Sequence, residues 1–290
     1  SFISLLARKD AIRVKKRKVD LVVISDVHLG TFGCHAKELL LYLNSIKPKK
    51  LILNGDIVDI WQFRKRYFPK SHLEVIKKII DLSAKGTEVT YITGNHDDLL
   101  RKFTDVEMGR ISLVDKLVLE LDGKKAWFFH GDVFDASIQN ARWLAKLGGW
   151  GYDMLILINR FVNWCLTRMH REKFSLSKKI KNGVKKAVKH IQDFEQVASD
   201  LAIENEYKYV VCGHIHQPQM VRKVNKFGTC LYLNSGDWIE NLTSLEYHKG
   251  RWDLKHFNKE EYEVEIAKPQ DFNEMQDLVA AITITSQKKK

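Results

Sequence analysis

Five short apolar runs in this chain each end in a cluster of Asp, Asn or His beside a glycine. Leu21-Val22-Val23-Ile24 leads into Ser25-Asp26-Val27-His28, and Leu51-Ile52-Leu53 into Asn54-Gly55-Asp56-Ile57-Val58-Asp59. Val89-Thr90-Tyr91-Ile92 is followed by Gly94-Asn95-His96-Asp97, and Trp127-Phe128-Phe129 by His130-Gly131-Asp132. Val210-Val211-Cys212 runs into Gly213-His214-Ile215-His216. A short continuous apolar run reads as a strand buried on both faces. Side chains at the carboxyl ends of such strands converge on one edge of an α/β sheet, where sites form.

Between the first three runs the spacing turns helical, over Ala36 to Asn44 and over Ser71 to Ala84. Ser71 is the expected cap of the second helix and Gly86 its stop signal. The order β-α-β-α-β implies a parallel sheet with helices on its faces. Later, Leu117–Leu121, Asp122-Gly123 and Lys125–Phe129 read as a hairpin. Further strands are expected at Tyr209–Cys212, Gln219–Val224, Thr229–Leu233 and Ser244–Tyr247. Two sheets packed face to face with helices outside account for both halves. The expected fold is therefore α/β, a four-layer α/β/β/α sandwich of two mixed sheets. One domain spans 20–260, interrupted by a helical insert (cap) at about 136–193. A basic segment, 1–19, precedes it and a tail, 261–290, follows.

Asp, Asn and His are oxygen and imidazole donors, suited to Mn, Fe, Zn or Co rather than to a thiolate-seeking ion. Asp26 and His28 flank one residue, so an extended backbone points both the same way, and His214 and His216 repeat that spacing. Gly55, Gly94, Gly131 and Gly213 permit sharp turns and close backbone approach. A carboxylate such as Asp56 can bridge two cations. Two such ions, roughly 3.5–4 Å apart, lower the pKa of water and offset charge building on phosphoryl oxygens. A purely structural role for all five clusters is disfavoured, because buried polar groups without ions or partners are costly.

The ordered blocks Asp26-x-His28, Gly55-Asp56-x-x-Asp59, Gly94-Asn95-His96-Asp97, His130-Gly131-Asp132 and Gly213-His214-Ile215-His216 resemble the calcineurin-like metallophosphoesterase family. The resemblance implies a dinuclear metal-dependent phosphoesterase holding two divalent ions. It puts Asp26, His28, Asp56 and His216 on the first metal, and Asp56, Asn95, His130 and His214 on the second. His96 contacts the phosphate or assists the leaving group, and Asp97 orients His96. Asp59 and Asp132 read as turn or supporting groups.

A narrower resemblance, carried by Ser25–Gly30 and by Asn234-Ser235-Gly236-Asp237-Trp238-Ile239-Glu240-Asn241, is to the UDP-2,3-diacylglucosamine pyrophosphatase branch of lipid A synthesis. That branch implies cleavage to UMP and diacylglucosamine 1-phosphate, with manganese the first choice and iron or zinc alternatives. The branch often carries Arg where this chain has His96, whereas the wider family carries His.

Within the insert, Leu155, Ile158, Val162, Cys165 and Met169 share a helical stripe, with Leu157, Phe161 and Trp164 beside it. Such a broad apolar arc needs two apolar neighbours, which makes the insert a candidate lid over acyl chains. Arg64, Arg66, Trp164 and His170, with Asn95, are the candidate substrate contacts. The formal net charge is +12, concentrated in Arg13–Lys18, Arg171–Lys189 and Lys288–Lys290. That excess suits an anionic membrane surface. No motif for specific nucleic acid is present, and no oligomeric state is set. Four cysteines without a CxxC pair fit a reduced setting, with Cys212 and Cys230 as buried thiols. No signal peptide or run of ~18 apolar residues is found. The expected location is cytoplasmic, peripheral on the inner face of a bacterial inner membrane. The rival readings are a phosphodiesterase or nuclease acting on nucleotides or nucleic acid, and a non-enzymatic scaffold. The complete ligand set speaks against the scaffold.

Overall fold

In a computed structural model, which describes residues 16–60, 67–134 and 194–262, each of the five apolar runs is a strand. The first part alternates as expected: β1 (Arg17–Ile24), α1 (Ala36–Ser45), β2 (Ile46–Asn54), α2 (Lys70–Ala84) and β3 (Glu88–Ile92). There follow β4 (Val106–Met108), β5 (Ile111–Val114), β6 (Lys116–Leu121) and β7 (Lys124–Phe129). Residues 194–204 are helical (α3). The last strands are β8 (Tyr209–Cys212), β9 (Gln219–Asn225), β10 (Gly228–Asn234), β11 (Thr243–His248) and β12 (Arg251–His256).

Seven strands form one sheet in the order β12-β11-β1-β2-β3-β5-β4, and five form a second in the order β6-β7-β8-β10-β9. Both are mixed. β1, β2, β3 and β5 run parallel, flanked by antiparallel β4 and β11. In the second sheet β7, β8 and β10 are parallel, with β6 and β9 antiparallel at the edges.

The continuous apolar runs are explained by burial on both faces. Leu21, Val23, Ile52, Ile92, Phe128, Val211, Leu233 and Leu245 form one core drawn from both sheets. The alternate residues Phe129, Val210, Cys212 and Tyr232 face the other way, onto Phe194, Ala198 and Ala202 of α3. On the first sheet, Val22, Ile24, Leu51 and Leu53 are likewise buried, and α1 and α2 contact β2 and β3 respectively. Each helix buries one stripe: Ala36, Leu39, Tyr42 and Leu43 in α1, and His72, Val75, Ile79 and Leu82 in α2. This is the layered α/β architecture of two mixed sheets read from the sequence.

Two local differences have physical causes. α2 starts at Lys70, with Pro69 as its N-cap and no side-chain cap, so Ser71 is not the cap. The carbonyl of Pro69 accepts from His72 N at 2.9 Å and takes that place. β4 and β5 were not anticipated: although Val106, Met108, Ile111, Leu113 and Val114 are apolar, the strands are only three and four residues long, too short for a periodic pattern to stand out. Cys212 and Cys230 are buried free thiols, and Cys34 is partly buried. The insert at 136–193 lies outside the described residues. Among those described, no helix is long and apolar enough to cross a membrane.

Phe128 is fully buried where the two sheets meet. Phe128→Ala should cost about 3–5 kcal/mol of unfolding free energy, read from denaturant melts. A loss below about 1 kcal/mol would show that the sheets do not pack through this residue.

Candidate functional site

The strand ends are joined beyond the sheet ladders. Asp26 N donates to Gly55 O (3.1 Å), His28 N to Asp56 O (2.9 Å) and Leu29 N to Ile57 O (2.8 Å). Asp59 N returns to Leu29 O at 2.9 Å. Across the other sheet, Gly213 N donates to His130 O at 3.0 Å. Backbone bonds between loops therefore fix where the polar side chains begin.

The expected extended geometry of the two x-spaced pairs is not what forms. Asp26, His28, Asp56, His214 and His216 all adopt left-handed backbone, with φ of 51°, 52°, 54°, 64° and 53°. Such a conformation costs a non-glycine residue about 1 kcal/mol or more and persists only where surroundings impose it. The inter-loop bonds just described impose it at Asp26, His28 and Asp56. Asp26 and His28 thereby meet in one group with His216, while His214 joins Asp56 and His130, by a route the residue spacing alone does not disclose.

Each of the two central carboxylates commits one oxygen to another loop and aims the other inward. Asp56 Oδ1 accepts His96 N at 2.8 Å, and its Oδ2 faces His130 Nε2 at 3.3 Å and His28 Nε2 at 3.9 Å. Asp26 Oδ2 accepts His214 N at 3.0 Å, and its Oδ1 lies 3.1 Å from His216 Nε2. The imidazoles are oriented too. His130 Nδ1 is 2.9 Å from Asn54 O, a pure acceptor, so Nδ1 carries the proton and Nε2 points inward. Asn95 Oδ1 lies 3.3 Å from that same Nε2. The groups able to hold an ion are Asp26, His28 and His216; His28, Asp56 and His96; and Asp56, His130 and His214. Asp56 and His28 link them into one cluster.

Asp97 behaves differently from expectation. Its carboxylate accepts Gly94 N (2.6 Å), Ile57 N (3.0 Å) and the Tyr91 hydroxyl (2.5 Å), and is fully buried. It ties the Asn95 loop to the Asp56 loop and leaves His96 alone. Asp59 contacts His96 instead, with Oδ2 3.2 Å from Nδ1. Asp132 accepts Arg101 Nη2 at 2.5 Å, which holds the turn after Asp97 against the His130 loop. Sequence reading missed Tyr91 and Asn54. Tyr91 resembles any strand aromatic, and Asn54 acts through its carbonyl. Arg64, Arg66, Trp164 and His170 lie outside the described residues.

Electrostatics follow from burial and crowding. Burial pushes the Asp26 carboxyl up, but His216 outweighs it and lowers the pKa to about 2. For Asp56, burial is likewise outweighed by His130, and the carboxyl stays well below the usual range. Burial disfavours charge on His216, yet Asp26 raises its pKa to about 9. Asp56 raises His130 well above the ordinary value against the same penalty. His28 is lowered to about 4 by burial. Burial lowers His96 as well, and the Asp59 and Asp56 carboxylates reverse the sign, so its pKa rises.

These residues fit divalent cations. His28 Nε2 is buried with no hydrogen-bond partner, and Asp26 Oδ1, equally buried, has only the charge contact with His216 Nε2 at 3.1 Å, which lacks hydrogen-bond geometry; such an arrangement is costly unless something else satisfies the atoms. A Cβ on Gly94 would collide with the Asp56 carboxylate, and one on Gly213 with that of Asp26, so the loops close on those groups only because both positions lack a side chain. The donor set is all N and O, the preference of borderline and hard divalent ions.

Without ions, the Asp56 and Asp26 carboxylates favour the protonated forms of His130 and His216, and a cation has to displace those protons. Loading of metal-free protein should release protons, and apparent affinity should rise as pH increases from about 6 to about 9. Calorimetry in buffers of different ionisation enthalpy reads the proton count. Loading with no proton release would contradict this electrostatic picture.

A family profile described as calcineurin-like phosphoesterase matches residues 19–218. Curated relatives described as UDP-2,3-diacylglucosamine hydrolase are similar along most of the chain. That of Aliivibrio fischeri is 25% identical, covering 78% of this chain and 94% of its own. That of Blochmanniella pennsylvanica is 26% identical over 69% and 80%. An Escherichia coli relative is 26% identical over 73% and 86%. Among solved structures, a dimetal phosphatase from Danio rerio aligns at 11% identity and TM-score 0.40, over 81% of this chain and 95% of its own. The profile spans more than half of the chain and takes in every block that builds this site: the chain belongs to the calcineurin-like phosphoesterase family of metal-dependent hydrolases.

Proposed function

We propose that the chain hydrolyses the pyrophosphate bond of UDP-2,3-diacylglucosamine, giving UMP and diacylglucosamine 1-phosphate. The observation that carries the reaction type is the pair Asp26 and Asp56, each turning one buried carboxylate oxygen toward inward-facing histidines. The substrate rests on the relatives' shared description, which covers a nucleotide-linked lipid. Exposed apolar side chains beside the ligand loops suit an amphiphile: Phe32 after His28, Leu99 and Phe103 after Asp97, and Val133 after Asp132.

In this reading Asp26, His28, Asp56 and His216 hold one divalent cation, and Asp56, Asn95, His130 and His214 the other. Manganese is the favoured ion. The pair of cations supplies a nucleophilic water at neutral pH and offsets charge on the phosphoryl oxygens. The residues do the rest. The water loses one proton to solvent, its oxygen bonds to phosphorus as the bond to the bridging oxygen breaks, and the departing phosphate takes that electron pair. His96, held by Asp59 and partly exposed at the mouth of the cluster, is oriented to donate a hydrogen bond to the phosphate or its leaving oxygen. The Asp59 and Asp56 carboxylates, which raise its pKa against the effect of burial, favour the protonated, donating form. Arg64, Arg66, Trp164 and His170 are assigned to substrate from sequence alone. The basic segments and the apolar stripe of the insert, both read from the sequence, support a location at the inner face of a bacterial membrane, which suits a lipid substrate.

Purified protein with manganese should release UMP from UDP-2,3-diacylglucosamine, read by chromatography. Cleavage of a generic aryl phosphodiester with the lipid untouched would favour the nucleotide or nucleic-acid reading instead. Asp56→Ala should lower kcat/KM by about 10²-fold or more, and wild-type turnover in that variant would remove the dinuclear mechanism. His96→Gln should lower kcat by about 10²-fold or more with metal content unchanged. Metal loss in that variant would instead make His96 a ligand.

A further inference from the structure

The segment Asn234–Asn241 contributes no residue to the proposed reaction, yet it is fastened to the Asp26 loop at several points. Trp238 N donates to Asp26 O at 3.1 Å, and Ser25 Oγ lies 2.7 Å from Ser235 Oγ and donates to Gly236 O at 3.0 Å. His35 N donates to Trp238 O at 2.9 Å, and the Trp238 side chain is buried. The loop therefore keeps a fixed position relative to Asp26.

Asp237, at its centre, is fully buried. Its Oδ1 caps a turn, accepting from Ile239 N (2.8 Å), Glu240 N (2.6 Å) and Asn241 N (3.3 Å). Its Oδ2 accepts Asn241 Nδ2 at 2.5 Å and faces His216 Nδ1 at 4.0 Å. Asn241 Nδ2 also donates to the His216 carbonyl at 3.0 Å. The His216 imidazole thus stands between two carboxylates, with Nε2 toward Asp26 and Nδ1 toward Asp237. A carboxylate oxygen accepts more than one hydrogen bond, so Oδ2 retains capacity for the ring proton. Closing 4.0 Å to hydrogen-bond length takes a ring movement of about 1 Å.

We propose that Asp237 is a positioning residue for His216: its carboxylate receives the Nδ1 proton, which leaves Nε2 as the nitrogen presented beside Asp26. The inference rests on the two-cation reading above. A carboxylate behind a ligating imidazole fixes its tautomer and orientation and strengthens its hold on the ion. Turn-capping alone is the competing account, and it needs only Oδ1.

Asp237→Asn separates the two. The amide oxygen keeps the turn at the Oδ1 position, while the oxygen that faces Nδ1 and also accepts Asn241 Nδ2 is lost. Metal-free wild-type and variant proteins are titrated with zinc, and bound ions are counted by elemental analysis. Expected are a metal-free variant that still folds and melts cooperatively and an affinity for one of two ions lower by about 10–100-fold. A folded variant with wild-type affinity for both ions overturns the proposal. A second measurement does not depend on how the variant folds. In the zinc-loaded wild type, ¹⁵N-histidine spectra should show His216 protonated at Nδ1, and a proton on Nε2 overturns the proposal. Uptake of no ion by the wild type would remove the two-cation reading itself, and this inference with it.

Discussion

Two buried carboxylates, Asp26 and Asp56, hold the whole arrangement in place. Each accepts a backbone N–H from a different loop, His214 N for Asp26 and His96 N for Asp56. Loops that belong to distant parts of the chain are thereby drawn to one point. The remaining carboxylate oxygens converge with imidazoles in a space where charge is poorly solvated. Such a concentration of negative charge and lone pairs is unfavourable by itself. Divalent cations convert it into a favourable one, and in doing so they gain a rigid, pre-oriented set of donors.

The fold bears the cost of that set. Five residues of the cluster are left-handed, and two glycines press directly on the two carboxylates. These features survive because the strands beneath them are buried on both faces and cannot shift. Parallel strands add a second advantage: their carboxyl ends finish on one edge, so short loops from β1, β2 and β3 reach one site. Around the inner cluster stands a set of supporting groups. Asp97 joins two loops, Asn54 and Asp59 orient imidazoles, and the Asn234–Asn241 segment fastens the Asp26 side.

Much of this was readable in the residues. A strand covered on both faces must be apolar throughout, so β1, β2, β7 and β8 stood out, and the polar clusters at their ends named the inner residues. What escaped was whatever tertiary contact decides. The sign of φ at Asp26 or His28 depends on bonds to the neighbouring loop, not on residue type. The partner of Asp97 depends on where Tyr91 and the Ile57 amide come to lie. β4 and β5, at the rim of the sheet, are apolar but too short to show a period, and pairing of β5 with β3 and of β4 with β5 is what makes them strands. The cap of α2 was placed two residues late, at Ser71 rather than Pro69, because a proline carbonyl did what a serine side chain was expected to do.

The central claim is that these loops bind a pair of cations bridged by Asp56. Anomalous diffraction from manganese-loaded crystals, recorded at the manganese edge, tests it most directly. Two peaks about 3.5–4 Å apart, with Asp56 between them and Asp26 and His130 on opposite sides, are the predicted result. A single peak away from Asp56, or none at all in protein that retains activity, would contradict the account.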